Sequence, residues 1–143
     1  MPAILLEKHK ERVTTFYRSV EGLVIPMRLL FDSAYSGGEK VMLALIGELC
    51  RQTSENPDTL GQWYTIFTNG EIEYMVGGIS LRSLHRYFKK FRNAGLIISQ
   101  IENSPTPNFR TLYLTPKGVK YLYNLDVAES VTMAGLKKHR TLM

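Results

Sequence analysis

Apolar residues recur at helical spacing in the first half of the chain, at positions 41, 42, 45, 46 and 49. A spacing of about 3.6 residues predicts an amphipathic helix over residues 37–50, with one face in a core and Cys50 as a small hydrophobic residue at its end. Ser36 can cap this helix, because Glu39 follows three residues later and completes a capping box. A shorter helix is expected over residues 27–33, after Pro26.

The middle of the chain changes pattern twice. Residues 62–67 are rich in aromatic and branched side chains and predict a short strand. Thr68 then begins a short capped helix, which a pair of glycines ends. Ser80 caps the next helix, which is expected to run to Ala94 with Gly95 just past its end. Two short helices joined by a tight turn are typical of a helix-turn-helix.

The next segment predicts a β-hairpin. Residues 96–101 and 109–114 have the composition of strands, and two prolines between them exclude a strand interior. Thr115 and Pro116 then provide the N-cap and first position of another helix. The order helix, turn, helix, hairpin, helix predicts an α+β, mostly α fold, a winged helix-turn-helix with a β-hairpin wing.

Three regions are expected on this basis. Residues 1–36 form an N-terminal arm or helix that packs on the body or on a second subunit. The spacing of its apolar residues favours a helix, whereas the composition of its middle favours an extended segment. Residues 37–120 form the winged helix-turn-helix domain. Residues 121–143 continue as a helical extension that packs within its own chain or against a second subunit.

Charge is distributed unevenly along the chain. The net charge is +5, and residues 1–73 sum to −3 while residues 74–120 sum to +7. No carboxylate occurs between Glu73 and Glu102. A basic block beside an acidic one indicates a polyanionic partner, with a solvated charged helix as the plainer interpretation.

The helix over residues 80–94 separates its apolar and cationic side chains. Leu84, Phe88 and Phe91 fall on one side and arginines and lysines on the other, the arrangement that a helix in a DNA major groove requires. The first half of the helix is expected to contact bases, and its lysines and Arg92 are expected to contact the DNA backbone. The wing is expected to enter a neighbouring groove or to contact phosphates. The candidate DNA-binding residues are Ser80, Arg82, Ser83, Arg86, Lys89, Lys90, Arg92, Asn93, Asn108 and Arg110.

Signs of catalysis or cofactor binding are not found in the sequence. Gly37 to Lys40 lacks the length and hydroxyl residue of a phosphate-binding loop, and the three histidines and Cys50 do not stand at metal-ligand spacing. We therefore expect no catalytic residues, no metal and no cofactor. A single cysteine and the lack of a long apolar stretch favour a soluble cytoplasmic protein without membrane association.

Two stretches carry a resemblance to a known family. Residues 66–72 (IFTNGEI) and 89–97 (KKFRNAGLI), with Ile25-Pro26 upstream, resemble the N-terminal domain of RepA_N-type plasmid replication initiators. The resemblance covers about residues 16–120 and implies a winged helix that dimerises and binds repeated sites in an origin. Residues 114–118 (LTPKG) are also similar to transcription-factor winged helices and to small centromere-binding adaptors of plasmid partition.

Together these features predict a homodimeric, sequence-specific double-stranded DNA-binding protein of a plasmid or other mobile element. Its expected role is replication or maintenance of that element, with a replication or partition protein as a possible partner. The alternatives are a transcriptional repressor on an operator, a partition adaptor, and a winged helix used as a protein-interaction module.

Overall fold

The computed structural model describes residues 23–102 and 109–128. Within these ranges the chain is a winged helix of mixed α+β type, mostly helical, with a small antiparallel sheet. Its elements in order are α1 (Met27–Leu30), α2 (Gly37–Glu55), a 3-10 turn (Pro57–Thr59), β1 (Tyr64–Thr68), α3 (Asn69–Met75), α4 (Leu81–Asn93), β2 (Ile97–Glu102), β3 (Phe109–Leu114) and α5 (Pro116–Tyr123).

The predicted helix starts are confirmed by their caps. At α2 the Glu39 amide donates to Ser36 Oγ at 3.3 Å, and the Ser36 amide donates to Glu39 Oε1 at 2.7 Å. Thr68 forms the same reciprocal pair at α3, and Ser80 and Thr115 accept from third-position amides at α4 and α5. Each cap joins residues three apart, so the local sequence suffices to specify it.

The two strands of the wing and the strand after α2 form one three-stranded sheet. Its order is β1-β3-β2 with antiparallel neighbours, and β3 in the middle pairs Arg110 with Phe67 of β1 and Ile101 of β2. Leu112 and Leu114 of β3 are fully buried under the helices. The sheet thereby ties the hairpin to the helical body.

The core lies between the sheet and the helices α2, α4 and α5. Its larger members include Phe67, Phe88 and Phe91, and the rings of Phe67 and Phe88 lie 6.2 Å apart. Gly118 allows α5 to approach β2, because a Cβ there would lie 2.3 Å from the carbonyl oxygen of Leu96. Burial raises the pKa of the Cys50 thiol, so this cysteine is a protonated core residue, as predicted from its position.

Helix α2 is longer than predicted. The apolar stripe indicated an end at Cys50, but the helix continues to Glu55 and ends at Asn56 before Pro57. Arg51 holds the extra turn, since its Nη1 lies 2.7 Å from Glu55 Oε1 and it also pairs with Glu48. Exposed ion pairs of this kind extend a helix without any apolar signal.

The ends of the domain also differ from the expectation. Helix α1 stops at Leu30 rather than near residue 33, because the Asp32 carboxylate accepts the Ala34 amide in a turn. In the described part of the predicted extension, the helix ends at Tyr123, since Asn124 has left-handed backbone (φ 56°) and residues 124–128 are not helical.

The boundary expected at residues 120 and 121 falls inside α5. Leu122 is buried in the core, and the Tyr123 ring lies 5.7 Å from that of Trp63. The last turn of α5 therefore packs with the winged body. The predictions for residues 1–22 and 129–143, which include most of the N-terminal arm and of the C-terminal extension, lie outside the described residues.

Candidate nucleic-acid interface

Helix α4 presents its polar side chains away from the core, as the sequence predicted. Leu84, Phe88 and Phe91 are buried beneath it. The side chains on its outer face are exposed, and they are Arg82, Arg86, Lys89, Lys90 and Asn93. Ser80 caps the helix and also donates to Ser83 Oγ at 3.0 Å, so these two serines are engaged at its first turn. Arg86 Nη2 donates to the same Ser83 Oγ at 3.2 Å.

Helix α4 contacts the start of α2 along one of its flanks. Lys90 Nζ donates to the Ala34 carbonyl oxygen at 2.6 Å and to Glu39 Oε1 at 3.0 Å. The same ammonium lies 5.2 Å from the centre of the Tyr35 ring. Burial would raise the pKa of Glu39, but hydrogen bonds from Ser36 and Lys90 outweigh burial and lower the pKa.

A shallow depression lies between α4 and the first turn of α2. Tyr87 of α4 comes close to the backbone of α2 here, because a Cβ on Gly38 would lie 2.8 Å from the Tyr87 hydroxyl. The depression is lined by Ser36, Glu39, Arg86, Tyr87, Lys89, Lys90 and Asn93. Most of these side chains are hydrogen-bond donors, and three of them are cations.

The opposite flank of α4 packs against the wing through Arg110. Its Nη1 donates to Ser99 Oγ at 2.9 Å, and its Cζ lies 5.1 Å from the centre of the Phe88 ring. The guanidinium is half-buried, and burial together with repulsion from Arg92 lowers its pKa. Burial and the nearby Arg110 charge also lower the pKa of His85 on the same flank.

Arg110 is the second residue of β3, next to the loop end of the wing, and its side chain is directed onto α4. The alternation of strand residues explains its orientation, since Arg110 shares the inward face of β3 with Leu112 and Leu114. Asn108, the other candidate on the wing, lies outside the described residues.

The structure brings together the nine described candidates on or beside α4, and it adds partners that sequence reasoning missed. Ala34, Tyr35 and Glu39 contact Lys90, which is 51 residues from Glu39 along the chain. The capping box identified Glu39 only as a helix-start residue. No sequence pattern places it opposite Lys90, because that contact depends on how two helices pack.

The part of the chain that the structure describes has neither a group of metal-ligating side chains nor a membrane-spanning helix. Residues 23–102 and 109–128 contain no cluster of three or more His, Cys, Asp or Glu side chains that could hold a metal ion. Among the helices of the same residues, none has both the length and the hydropathy needed to cross a bilayer.

Comparison with known proteins gives a likeness in structure only. No protein-family model matches the chain, and no curated protein matches it. A solved chain from a Rep–DNA complex superposes with a TM-score of 0.50 at 14% identity, covering 90% of this chain and 94% of that one. An N-terminal domain of a DNA-binding protein has a TM-score of 0.49 at 15% identity, covering 90% and 93%. At these identities the first likeness shows a shared fold.

Proposed function

We propose that this protein binds double-stranded DNA sequence-specifically, with α4 in the major groove. The observation that carries the proposal is the exposed outer face of α4, where Arg82, Arg86 and Lys89 stand together. Helix α4 contains no carboxylate, so nothing on it would repel a phosphate backbone. We propose that the protein binds DNA without a catalytic role, and that it does so in the cytoplasm.

The dimensions of α4 suit this placement. An α-helix with its side chains is about 10–12 Å wide, and the major groove of B-DNA is about 12 Å wide. Arg82 and Arg86 are one turn apart, so the two side chains can reach neighbouring base pairs. Arginine is the side chain that pairs bidentately with guanine in this groove. Arg82 and Arg86 are therefore the proposed base contacts, and Asn93 and Arg92 lie nearer the helix end, where backbone contacts are expected.

The finer role that we propose is replication or maintenance of a plasmid or other mobile element through repeated origin-type sites. Two facts support it: the resemblance of residues 66–72 and 89–97 to RepA_N-type initiators, and the shared fold with a chain solved in a Rep–DNA complex. A replication or partition protein would be the partner recruited at such sites. An operator-binding repressor would use the same face of α4 on a different kind of site.

A selection of bound fragments from the source DNA tests both levels of this proposal. It is run at about 150 mM salt, where non-specific binding is weak. The matched control is the variant in which Arg82, Arg86 and Lys89 are all alanine. Tandem direct repeats above this control would support an origin or centromere, and one inverted repeat over a promoter would support the repressor. Equal recovery by both proteins would refute DNA binding through α4.

Lys89 is expected to act on the phosphate backbone. Lys89→Ala should weaken binding to a selected fragment and to a random duplex alike, and should make the slope of log K against log salt shallower by about one unit. The reason is that one fewer counterion is released when one phosphate contact is lost. Fluorescence anisotropy across a salt series measures this slope, and an unchanged slope would remove Lys89 from the interface.

We also propose that the protein is a homodimer, and exposed apolar residues near α1 support this. Val24, Met27 and Phe31 are 84%, 66% and 73% exposed within eight positions, and a group of exposed apolar side chains is typical of an interaction site. Phe31→Asp is expected to shift the protein from dimer to monomer in analytical ultracentrifugation. Leu60→Asp is the control, since Leu60 is 72% exposed on the turn after α2. A dimer unaffected by Phe31→Asp would exclude this surface as the interface.

A further inference from the structure

Lys90 differs from its neighbour Lys89 in what it contacts. Its ammonium donates to a backbone oxygen and to a carboxylate at 2.6 and 3.0 Å, and it lies over the Tyr35 ring. The Lys89 side chain is exposed and makes no hydrogen bond or ion pair within residues 23–102 and 109–128. Two adjacent lysines on one helix thus occupy different environments.

The carboxylate that holds Lys90 is itself fixed. Glu39 is only 9% exposed, and its Oε1 accepts both the Ser36 amide at 2.7 Å and the Lys90 ammonium. A side chain engaged in a capping box cannot follow a moving partner without opening the first turn of α2. The Lys90 contacts therefore join α4 to a rigid point on another helix.

Moving Lys90 to a DNA phosphate would have a cost that Lys89 does not have. It would leave the largely buried Glu39 carboxylate without its cation, at the side of the helix that faces a polyanion. The Glu39 side chain is 11% exposed and would keep only the Ser36 amide as a partner, so the loss of its cation is unfavourable, and solvent at the 44% exposed Lys90 screens part of that cost. The contacts seen in the free protein are thus the ones that the bound protein would retain.

We propose that Lys90 is a positioning residue that fixes the angle of α4 against the start of α2, and that it is not a phosphate ligand. The inference deepens the proposed function and rests on it where DNA is concerned. Lys90 thereby determines how the outer face of α4 meets a groove, while Lys89 supplies the contact with the backbone.

The direction in which one substitution changes the DNA affinity separates the two roles. Glu39→Gln keeps an acceptor for the Ser36 amide but removes the charge that holds Lys90. If Lys90 positions α4, Glu39→Gln should weaken binding to a random 30-base-pair duplex by about 3- to 10-fold, the range expected for one lost ionic contact. If Lys90 binds phosphate, the same change frees it and removes a nearby negative charge, so that affinity should rise.

The lysine variants complete this test. Lys90→Met should weaken binding about as much as Glu39→Gln, the double variant should be no weaker than either, and the salt slope should stay unchanged. Lys89→Met should make the slope shallower. Glu73→Gln is the control for removing a carboxylate, because Glu73 is exposed on α3. Higher affinity in Glu39→Gln, or a shallower slope in Lys90→Met, would overturn the proposal.

Thermal unfolding tests the same contact without DNA. Lys90→Met and Glu39→Gln should each lower the midpoint by about 2–4 °C, and the double variant by no more than either alone. Failure of the wild-type protein to bind any duplex would count against the proposed function. The unfolding midpoints of the two single variants and the double variant would then decide whether Lys90 and Glu39 hold α4 together. Additive shifts would show that Lys90 and Glu39 do not act together and would overturn the inference.

Discussion

Replacing Phe88 by alanine is expected to lower the free energy of unfolding by about 3–5 kcal/mol. Phe88 is 1% exposed at the centre of α4, and its ring packs 6.2 Å from that of Phe67. It also lies under the Arg110 guanidinium at 5.1 Å. Alanine would leave a cavity between α4 and the sheet and would remove the ring against which Arg110 is held.

Urea unfolding followed by far-UV circular dichroism measures this loss. Leu60→Ala is the control, because Leu60 is apolar but 72% exposed and should change the free energy of unfolding by less than about 0.5 kcal/mol. A loss below about 1 kcal/mol for Phe88→Ala would contradict the packing of α4 described here. DNA affinity should be compared well below the unfolding midpoint, where both proteins are folded.

Replacing Arg86 by alanine should cost about 1–3 kcal/mol of binding free energy on a selected fragment and clearly less on a random duplex. Arg86 is exposed on the outer face of α4, one turn after Arg82. Its Nη2 donates to Ser83 Oγ at 3.2 Å, which limits the directions in which the guanidinium points before DNA is present. A guanidinium that pairs with a base edge contributes to discrimination, because a different base leaves its donors without partners.

Competition binding of both duplexes at one salt concentration measures the difference. Arg92→Ala provides the comparison, since Arg92 is an exposed arginine in the last turn of α4 and is expected to contact backbone. It should weaken binding to the two duplexes equally. Equal losses for Arg86→Ala would show that Arg86 contacts phosphate and that discrimination lies elsewhere on α4.

Helix α4 is held on both flanks by cations that the sequence assigned to DNA. On one side Lys90 is bonded to Glu39, and on the other Arg110 is bonded to Ser99 and packs on Phe88. The role that we propose for α4 needs such support, because a side chain displaced by 1 Å no longer meets a base edge in the required geometry. The sequence pattern assigned both cations to DNA and gave no sign of these contacts within the protein.

The sequence by itself determined the local features of this protein. The caps at Ser36, Thr68, Ser80 and Thr115 and the extent of β3 were predicted at the residues where the structure has them. The segregation of apolar and cationic side chains on α4 was predicted as well. All of these depend on residues within about one helical turn or on the alternation of a strand, so the necessary information lies close together in the chain.

The tertiary structure alone decided the features that join distant segments. The sheet order β1-β3-β2, the contact between Lys90 and Glu39, and the inward position of Arg110 each depend on packing between elements. The ends of α2 and α5 were missed for a different reason, since an Arg51–Glu55 ion pair and a left-handed Asn124 are local features that leave no mark on the apolar pattern. Contacts of the first kind can join residues at many separations along the chain. The sequence pattern therefore predicts α4 and its cationic face but not the residues that pack against Lys90 and Arg110.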